Sequence, residues 1–414
     1  MTSASILRDP KFGRLWFIQA STQVGGNMSL YALTILIFAS TRSNAAVSAL
    51  VMSYLVPTIL LSALAGVLVD RLDVRWAIVI PNAIRTLLTL GLAVAGANVP
   101  MLLVLNLGIS LTTVVLTPAE AAMIPRIVPS GQLETAMGVF NLTLQGSFAV
   151  GFAFLGPLLV SIAGPSFVLV VVGAFFAAAT IAAFGLPGAP PVRATATGAR
   201  RTSREPLDQL REGLATIRSD RDVSRPLLHL AIASSLVGVI GVLGPNLATS
   251  LGLDPKNLIV IVLPLGLGVV AGVVGLGRFG DGLSRRRAAE AGLLSFGGLA
   301  VVIAGIAAIA ADGQRAGIPV IPTAIVLALG IGIAYAVTTV SAQTGLFEHM
   351  PAGARGRIFG VLASIVSAAS LLPILVAGPL ADRIGAPAVL VITACGGLAA
   401  AGWSALFFGP RTSR

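Results

Sequence analysis

Apolar residues run along this chain in twelve long blocks separated by short polar stretches: 13–39, 46–69, 76–97, 100–125, 134–163, 166–187, 226–250, 257–277, 289–311, 318–345, 358–380 and 386–408. A helix needs ~20 mainly apolar residues to cross the hydrocarbon layer, whereas a barrel strand needs only ~10. The blocks therefore predict an all-α membrane protein of twelve transmembrane helices. One polar connection is long, 188–225. It begins rich in Pro, Ala, Thr and Arg, and then "EPLDQLREGLATIRSD" places Leu207, Leu210, Leu214 and Ile217 on one helical face. That spacing predicts an amphipathic helix lying at the membrane surface. The chain thus divides into an N-terminal six-helix bundle (1–187), a linker (188–225) and a C-terminal six-helix bundle (226–414).

Polar positions inside the blocks are patterned too. The first block carries Gln19, Gln23, Asn27 and Tyr31 at steps of four, and the fourth carries Asn106, Ser110, Thr113, Thr117 and Glu120 at steps of three and four. The second offers Tyr54, Thr58 and Ser62, the fifth Asn141 and Gln145, and the tenth Tyr335, Thr339 and Gln343. Each set shares one helical face. Lipid penalises polar groups, so these faces are predicted to turn inward and line a central cavity. For single Ser and Thr residues, bonding of helix to helix is the competing reading. The sixth, ninth and twelfth blocks have few polar residues and are predicted to face lipid.

Glu120 is the only carboxylate well inside a block, and Arg85 lies at a similar depth in the third block. An unpaired charge at such a depth costs ~3 kcal/mol or more. Two readings follow: an Arg85–Glu120 ion pair, or a carboxyl that takes up and releases a proton. They coincide if the pair breaks during a working cycle.

Composition narrows the class. The chain is 56% hydrophobic and 10% charged, against ~25% charged in a soluble domain. Its net charge is +11, with Lys11 and Lys256 the only lysines. With the N-terminus inside, 22 of the 27 basic residues fall in inside segments and 4 in outside segments, while Arg85 lies within a block. The positive-inside rule then places both termini in the cytoplasm of a cell membrane. Topology accounts for the basic excess, and nucleic acid is not an expected partner: the linker has no aromatic residue and mixes five acids with eight arginines. Cys395 is the only cysteine, and His229 and His349 are the only histidines, so neither a disulfide nor a histidine metal site is expected. No cofactor is expected either. The polar N-terminus lacks a signal-peptide core, which leaves the first helix as the insertion signal.

The two halves repeat. Gly66, Asp70, Leu72 and Arg75 recur as Gly277, Asp281, Leu283 and Arg286, at an offset of 211. Pro129, Gly138, Val139, Gly156, Pro157 and Leu158 recur as Pro351, Gly360, Val361, Gly378, Pro379 and Leu380, at an offset of 222. A duplicated six-helix unit in one orientation is implied. The stretch "GVLVDRLDVR" resembles the loop motif of the major facilitator superfamily, Gly-x-x-x-Asp-Arg-x-Gly-Arg-Arg. Gly66, Asp70, Arg71 and Arg75 match, while Asp73 stands at the usual glycine and Val74 at a usual base. The stretches "LTPAEAAMIPRIVPSGQLETAMGVFN" and "LFEHMPAGARGRIFGVLAS" look like the corresponding connections of the bacterial enterobactin exporter and macrolide efflux branch. "GFAFLGPLLVSIAG" resembles the antiporter signature at Gly151, Gly156 and Pro157, with Val160 and Ser161 in place of its closing glycines; the competing reading is a glycine-rich packing kink.

The resemblance implies the major facilitator fold, with helices one, four, seven and ten around a central cavity. It implies a monomeric secondary transporter that works by alternating access and exports a small amphipathic molecule, such as a drug or a siderophore-like metabolite. Gly66, Asp70, Arg71, Arg75, Gly277, Asp281 and Arg286 would form its cytoplasmic gating motif. A proton is the candidate coupling ion, carried at Glu120 beside Arg85, although the first helix has no aspartate. Lipid or lysolipid translocation is the alternative. A Walker-type loop is absent from the sequence, so ATP is not the expected drive. A membrane-embedded enzyme would need clustered His, Asp, Glu or Cys, which the blocks lack.

Overall fold

The computed structural model describes residues 6–188, 221–280, 284–311, 319–348 and 355–407. The amphipathic helix expected in 188–225 lies outside them, as do the side chains of Asp70, Gln145 and Asp281. Among the described residues the regular structure is helical throughout. The long helices are α1 (Pro10–Thr41), α2 (Asn44–Arg71), α3 (Val74–Val94), α4 (Val99–Ile127), α5 (Leu133–Ser147), α6 (Gly156–Phe184), α7 (Arg221–Ser250), α8 (Ile259–Phe279), α9 (Arg285–Ala311), α10 (Val320–Glu348), α11 (Arg355–Ile384) and α12 (Ala386–Phe407). Their starts are set by local chemistry. The Asp73 carboxylate accepts from the backbone N–H of Arg75 (2.9 Å) and caps α3. Asn98 caps α4 by accepting from Met101 N–H (3.1 Å), with Pro100 in the first turn, where its missing donor costs nothing.

Among the described residues, eleven helical stretches are long and apolar enough to span a bilayer, but one of them, Thr135–Phe184, has 50 residues. At 1.5 Å per residue that is ~75 Å, far more than a hydrocarbon layer of ~30 Å. The stretch is broken at Gly164, with φ 84° and ψ 170°, followed by Pro165. Only glycine adopts that φ without strain, and the extended ψ is what a residue before proline requires. The break makes two passes of one stretch and brings the total to twelve. It falls inside the 163–166 boundary expected from the sequence.

Within the fifth pass, Phe148–Leu155 is wound as a π-helix. It lies against α1: a Cβ on Gly151 would be 2.5 Å from the carbonyl oxygen of Val24 and 2.8 Å from Asn27 Cβ. Phe152 stacks on Phe148 (centroids 5.0 Å apart) and presents its edge to Tyr31 (5.5 Å). The glycines of the antiporter-like stretch therefore serve close packing onto α1 here.

The helices carry large apolar side chains outward, including Leu87 at 71% and Val94 at 82% exposure on α3. In water such a surface would aggregate; in a bilayer it is the lipid-facing belt. The described chain forms two compact units, residues 1–41 with 49–200, and residues 42–48 with 201–414. In the second unit, α8 and α10 meet backbone to backbone. A Cβ on Gly268 would collide with the Leu329 carbonyl, and one on Gly332 with the Leu265 carbonyl. Small residues permit this approach, which is how helices gain contact where lipid offers no hydrophobic drive. Gly268→Leu should therefore abolish the monodisperse peak of purified protein in detergent size exclusion, whereas Leu267→Ala, at an exposed neighbour, should leave it intact.

Candidate functional site

In the first unit, α1, α2, α3, α4 and α6 enclose a polar chamber of about 100 Å³. Its wall includes Thr22, Gln23 and Asn27 of α1, Tyr54 of α2, Arg85 of α3, Asn106, Thr113, Thr117 and Glu120 of α4, and Phe176 of α6. Ligand sites for drug-sized molecules measure ~300–1,000 Å³. This chamber is thus large enough for an ion, a few waters or one polar group of a ligand.

Its two charges are deeply buried. Arg85 and Glu120 are each 3% exposed. Among the described residues they make no ion pair with each other: no Arg85 nitrogen lies within 4.0 Å of a Glu120 oxygen. The guanidinium stacks on Phe176, with its carbon 4.1 Å from the ring centroid, an attraction worth ~2 kcal/mol when desolvated. Arg85 Nε and Glu120 Oε1 are both fully buried without a hydrogen-bond partner. Of the two readings, the direct ion pair is not formed in this structure; the two charges face one chamber and act on each other across it.

The other expected lining residues separate into two groups. Gln23, Asn27, Tyr54, Asn106, Thr113 and Thr117 reach the chamber. Asn27 is fixed there by bonds from Nδ2 to Gln23 O (2.9 Å) and Ser147 Oγ (3.2 Å), and Asn106 by a bond from Nδ2 to Ser53 Oγ (2.9 Å). Gln19 instead donates to the Phe140 carbonyl (3.2 Å) and ties α1 to α5. Tyr31 is buried against Phe152, and Ser110 donates to the Tyr54 carbonyl (2.5 Å). Asn141 is exposed. Tyr335, Thr339 and Gln343 belong to the second unit, where Tyr335 meets Phe296 edge to face (5.9 Å) and Thr339 bonds to its own helix at Tyr335 O (2.9 Å).

Comparison with known proteins decides the family. The family model of the Major Facilitator Superfamily matches residues 15–372. The chain belongs to the major facilitator superfamily. It is 26% identical to the uncharacterized MFS-type transporter YfiS of Bacillus subtilis, over 88% of this chain and 85% of that protein. It is 25% identical to the multidrug efflux pump Tap of Mycolicibacterium fortuitum, over 89% and 88%. Among solved structures it resembles the nucleoside transporter NupG, with a TM-score of 0.71 and 15% identity over 97% of this chain and 99% of that one. A POT family transporter in complex with 5-aminolevulinic acid gives 0.70 and 12%, over 97% and 96%. At such identities the structural likeness speaks for the fold alone. The protein is a multi-pass membrane transporter and not an enzyme.

The superfamily loop motif gains a physical account here. Asp73, at the motif's usual glycine, is the cap of α3. Arg75 donates from Nη2 to the Phe184 carbonyl (2.6 Å), and Arg14 from Nη1 to the Gly185 carbonyl (2.5 Å). Both cations thus hold the C-terminal end of α6, where unpaired carbonyls and the helix dipole favour positive charge. Arg71 is exposed, as are Gly277 and Arg286, and Arg286 pairs with Glu290 (2.9 Å).

One polar cluster, around Asp382 at the end of α11, was not among the residues singled out from the sequence. Its carboxylate accepts from Ser43 Oγ (2.6 Å), Asn44 N (2.7 Å), Asn44 Nδ2 (2.9 Å) and Ala45 N (3.0 Å), and so caps the first turn of α2 from α11. Ser48 Oγ donates to the Ile374 carbonyl (2.8 Å) one turn on. These contacts bring residues 42–48 into the second unit. The signal was present in the sequence: Gly378, Asp382, Arg383 and Gly385 repeat the Gly-x-x-x-Asp-Arg-x-Gly spacing more fully than 66–73 does.

Proposed function

We propose that this transporter is a secondary active exporter of small amphipathic molecules, driven by protons and working by alternating access between its two bundles. One observation carries the coupling: Glu120 and Arg85 are buried in one polar chamber between the helices without touching. A carboxyl so placed changes its charge state when the chamber's exposure changes, while the guanidinium stays charged throughout. The multidrug efflux relatives support the outward direction and the amphipathic substrate class. The excess of basic residues in alternate loops supports cytoplasmic termini in a plasma membrane.

Purified protein reconstituted into vesicles tests this reading. With a pH gradient imposed, amphipathic fluorescent dyes should accumulate on the acidic side beyond the level in protein-free vesicles, because protons leaving that side drive the exchange. Accumulation equal to that in protein-free vesicles across a dye panel would overturn proton-driven export. Flipping of labelled lipid without dye movement would support the translocase reading instead.

A further inference from the structure

We propose that the chamber between α1, α2, α3, α4 and α6 is a binding site for one anionic group, chloride or the carboxylate of a small organic molecule, held by Arg85 when Glu120 carries a proton. A guanidinium has five N–H donors. Arg85 places them in a buried chamber, where its Nε has no partner and its guanidinium lies over the face of Phe176. A buried cation is stable only when paired and hydrogen-bonded. Glu120 supplies the charge but not the contact. The remaining hydroxyls on α4 are not free to donate, since Thr113 and Thr117 already bond to their own helix at Ile109 O (2.8 Å) and Thr113 O (3.1 Å). Arg85 is thus the one cationic donor among the described lining residues, and what it requires is an acceptor with negative charge.

Size and charge select the ligand. About 100 Å³ admits a chloride or a carboxylate end and excludes a drug-sized body. The titratable groups on the chamber wall are Tyr54 on α2, Arg85 on α3 and Glu120 on α4; α1 and α6 contribute none among the described lining residues. With Glu120 ionised, the wall is neutral overall and repels a second anion from its own carboxylate. With Glu120 protonated, the wall carries one uncompensated positive charge. Anion binding therefore strengthens as the pH falls. This pH dependence rests on the reading of Glu120 as the proton carrier, but the anion site itself does not.

The test uses full-length protein in detergent and follows thermal unfolding at constant ionic strength, with a bulky sulfonate salt exchanged stepwise for chloride or for acetate. Wild type should gain saturable stability with the small anion, more at acidic than at neutral pH. Glu120→Gln, which fixes the wall in its positive state, should bind the anion about tenfold more tightly than wild type at neutral pH and lose the pH dependence. Arg85→Gln should show no anion effect. Stabilisation by chloride identifies an inorganic ion as the occupant, and stabilisation by acetate alone identifies a substrate carboxylate. If Glu120→Gln folds and neither anion stabilises it, or if Arg85→Gln responds as wild type does, the anion site is refuted. If Glu120→Gln binds the anion but wild type shows no pH dependence, the anion site stands and the proton role of Glu120 falls.

Discussion

Glu120→Gln should equilibrate its substrate across the membrane but fail to concentrate it. Each pH unit of gradient supplies ~1.4 kcal/mol per proton, enough for about tenfold accumulation if one proton exchanges for one substrate. A glutamine keeps the size and the hydrogen-bonding of the neutral acid but cannot release a proton. In vesicles, counterflow of a dye between equal internal and external pools should persist, while accumulation driven by an imposed pH gradient should vanish. Wild-type accumulation by the variant would remove Glu120 from the coupling. Arg85→Ala is the companion experiment. It leaves the carboxylate without its counter-charge and strips Phe176 of its partner. If Glu120→Gln fails to fold and adding Arg85→Ala restores it, the two residues serve stability and not coupling.

Gly378→Leu should free the start of α2 from α11. A Cβ at this position would run into the Asn44 carbonyl and Ser48 Oγ, so the first turn of α2 could not stay where Asp382 now caps it. The measurement uses Ser48→Cys in a Cys395→Ser background, so that the introduced thiol is the only cysteine in the chain. Ser48 is 2% exposed, so the cysteine should resist a maleimide reagent, and adding Gly378→Leu should make it reactive. Asp382→Ala should act in the same direction but less strongly, since loss of an N-terminal cap costs ~1 kcal/mol and this carboxylate is partly screened by solvent. Unchanged labelling in Gly378→Leu would show that the cap contacts do not hold α2 in place.

How much of this was legible in the sequence depended on what kind of rule applied. Lengths of apolar runs set a boundary at 163–166, where the structure breaks the stretch at Gly164, because run length is a local property of the chain. The four-residue steps on α1 put Gln23 and Asn27 on one face, and both line the chamber. The same steps put Gln19 and Tyr31 on that face too, and these are covered by α5 and the π-helical segment. Periodicity fixes a direction around a helix axis but not the neighbour that lies in that direction. Counting residues from helix ends matched Arg85 and Glu120 in depth. It could not give their azimuths, which leave them facing one chamber without contact. Asp382 was missed because only carboxylates well inside a block were taken as candidates, although its spacing to Gly378 matched a motif already recognised elsewhere in the chain.

The π-wound segment 148–155 has a consequence for how this helix tolerates insertions and deletions. A π turn accommodates one residue more than an α turn, so each such turn rotates everything beyond it by about 100° relative to an unbroken α-helix. The orientation of Gly156 and Pro157 toward α1 is therefore tied to the number of residues since Ser147 together with their winding, and not only to their identity. Removing a single residue such as Ala149 would let the segment relax to regular α-winding, and the lost residue and the lost π turn would offset each other, so that Gly156 should still face Tyr31, where a Cβ would come within 3.1 Å of Tyr31 Cβ. Side-chain replacements here change contacts one at a time. An added residue, with no further π turn to absorb it, would re-aim the rest of the pass by about 100°.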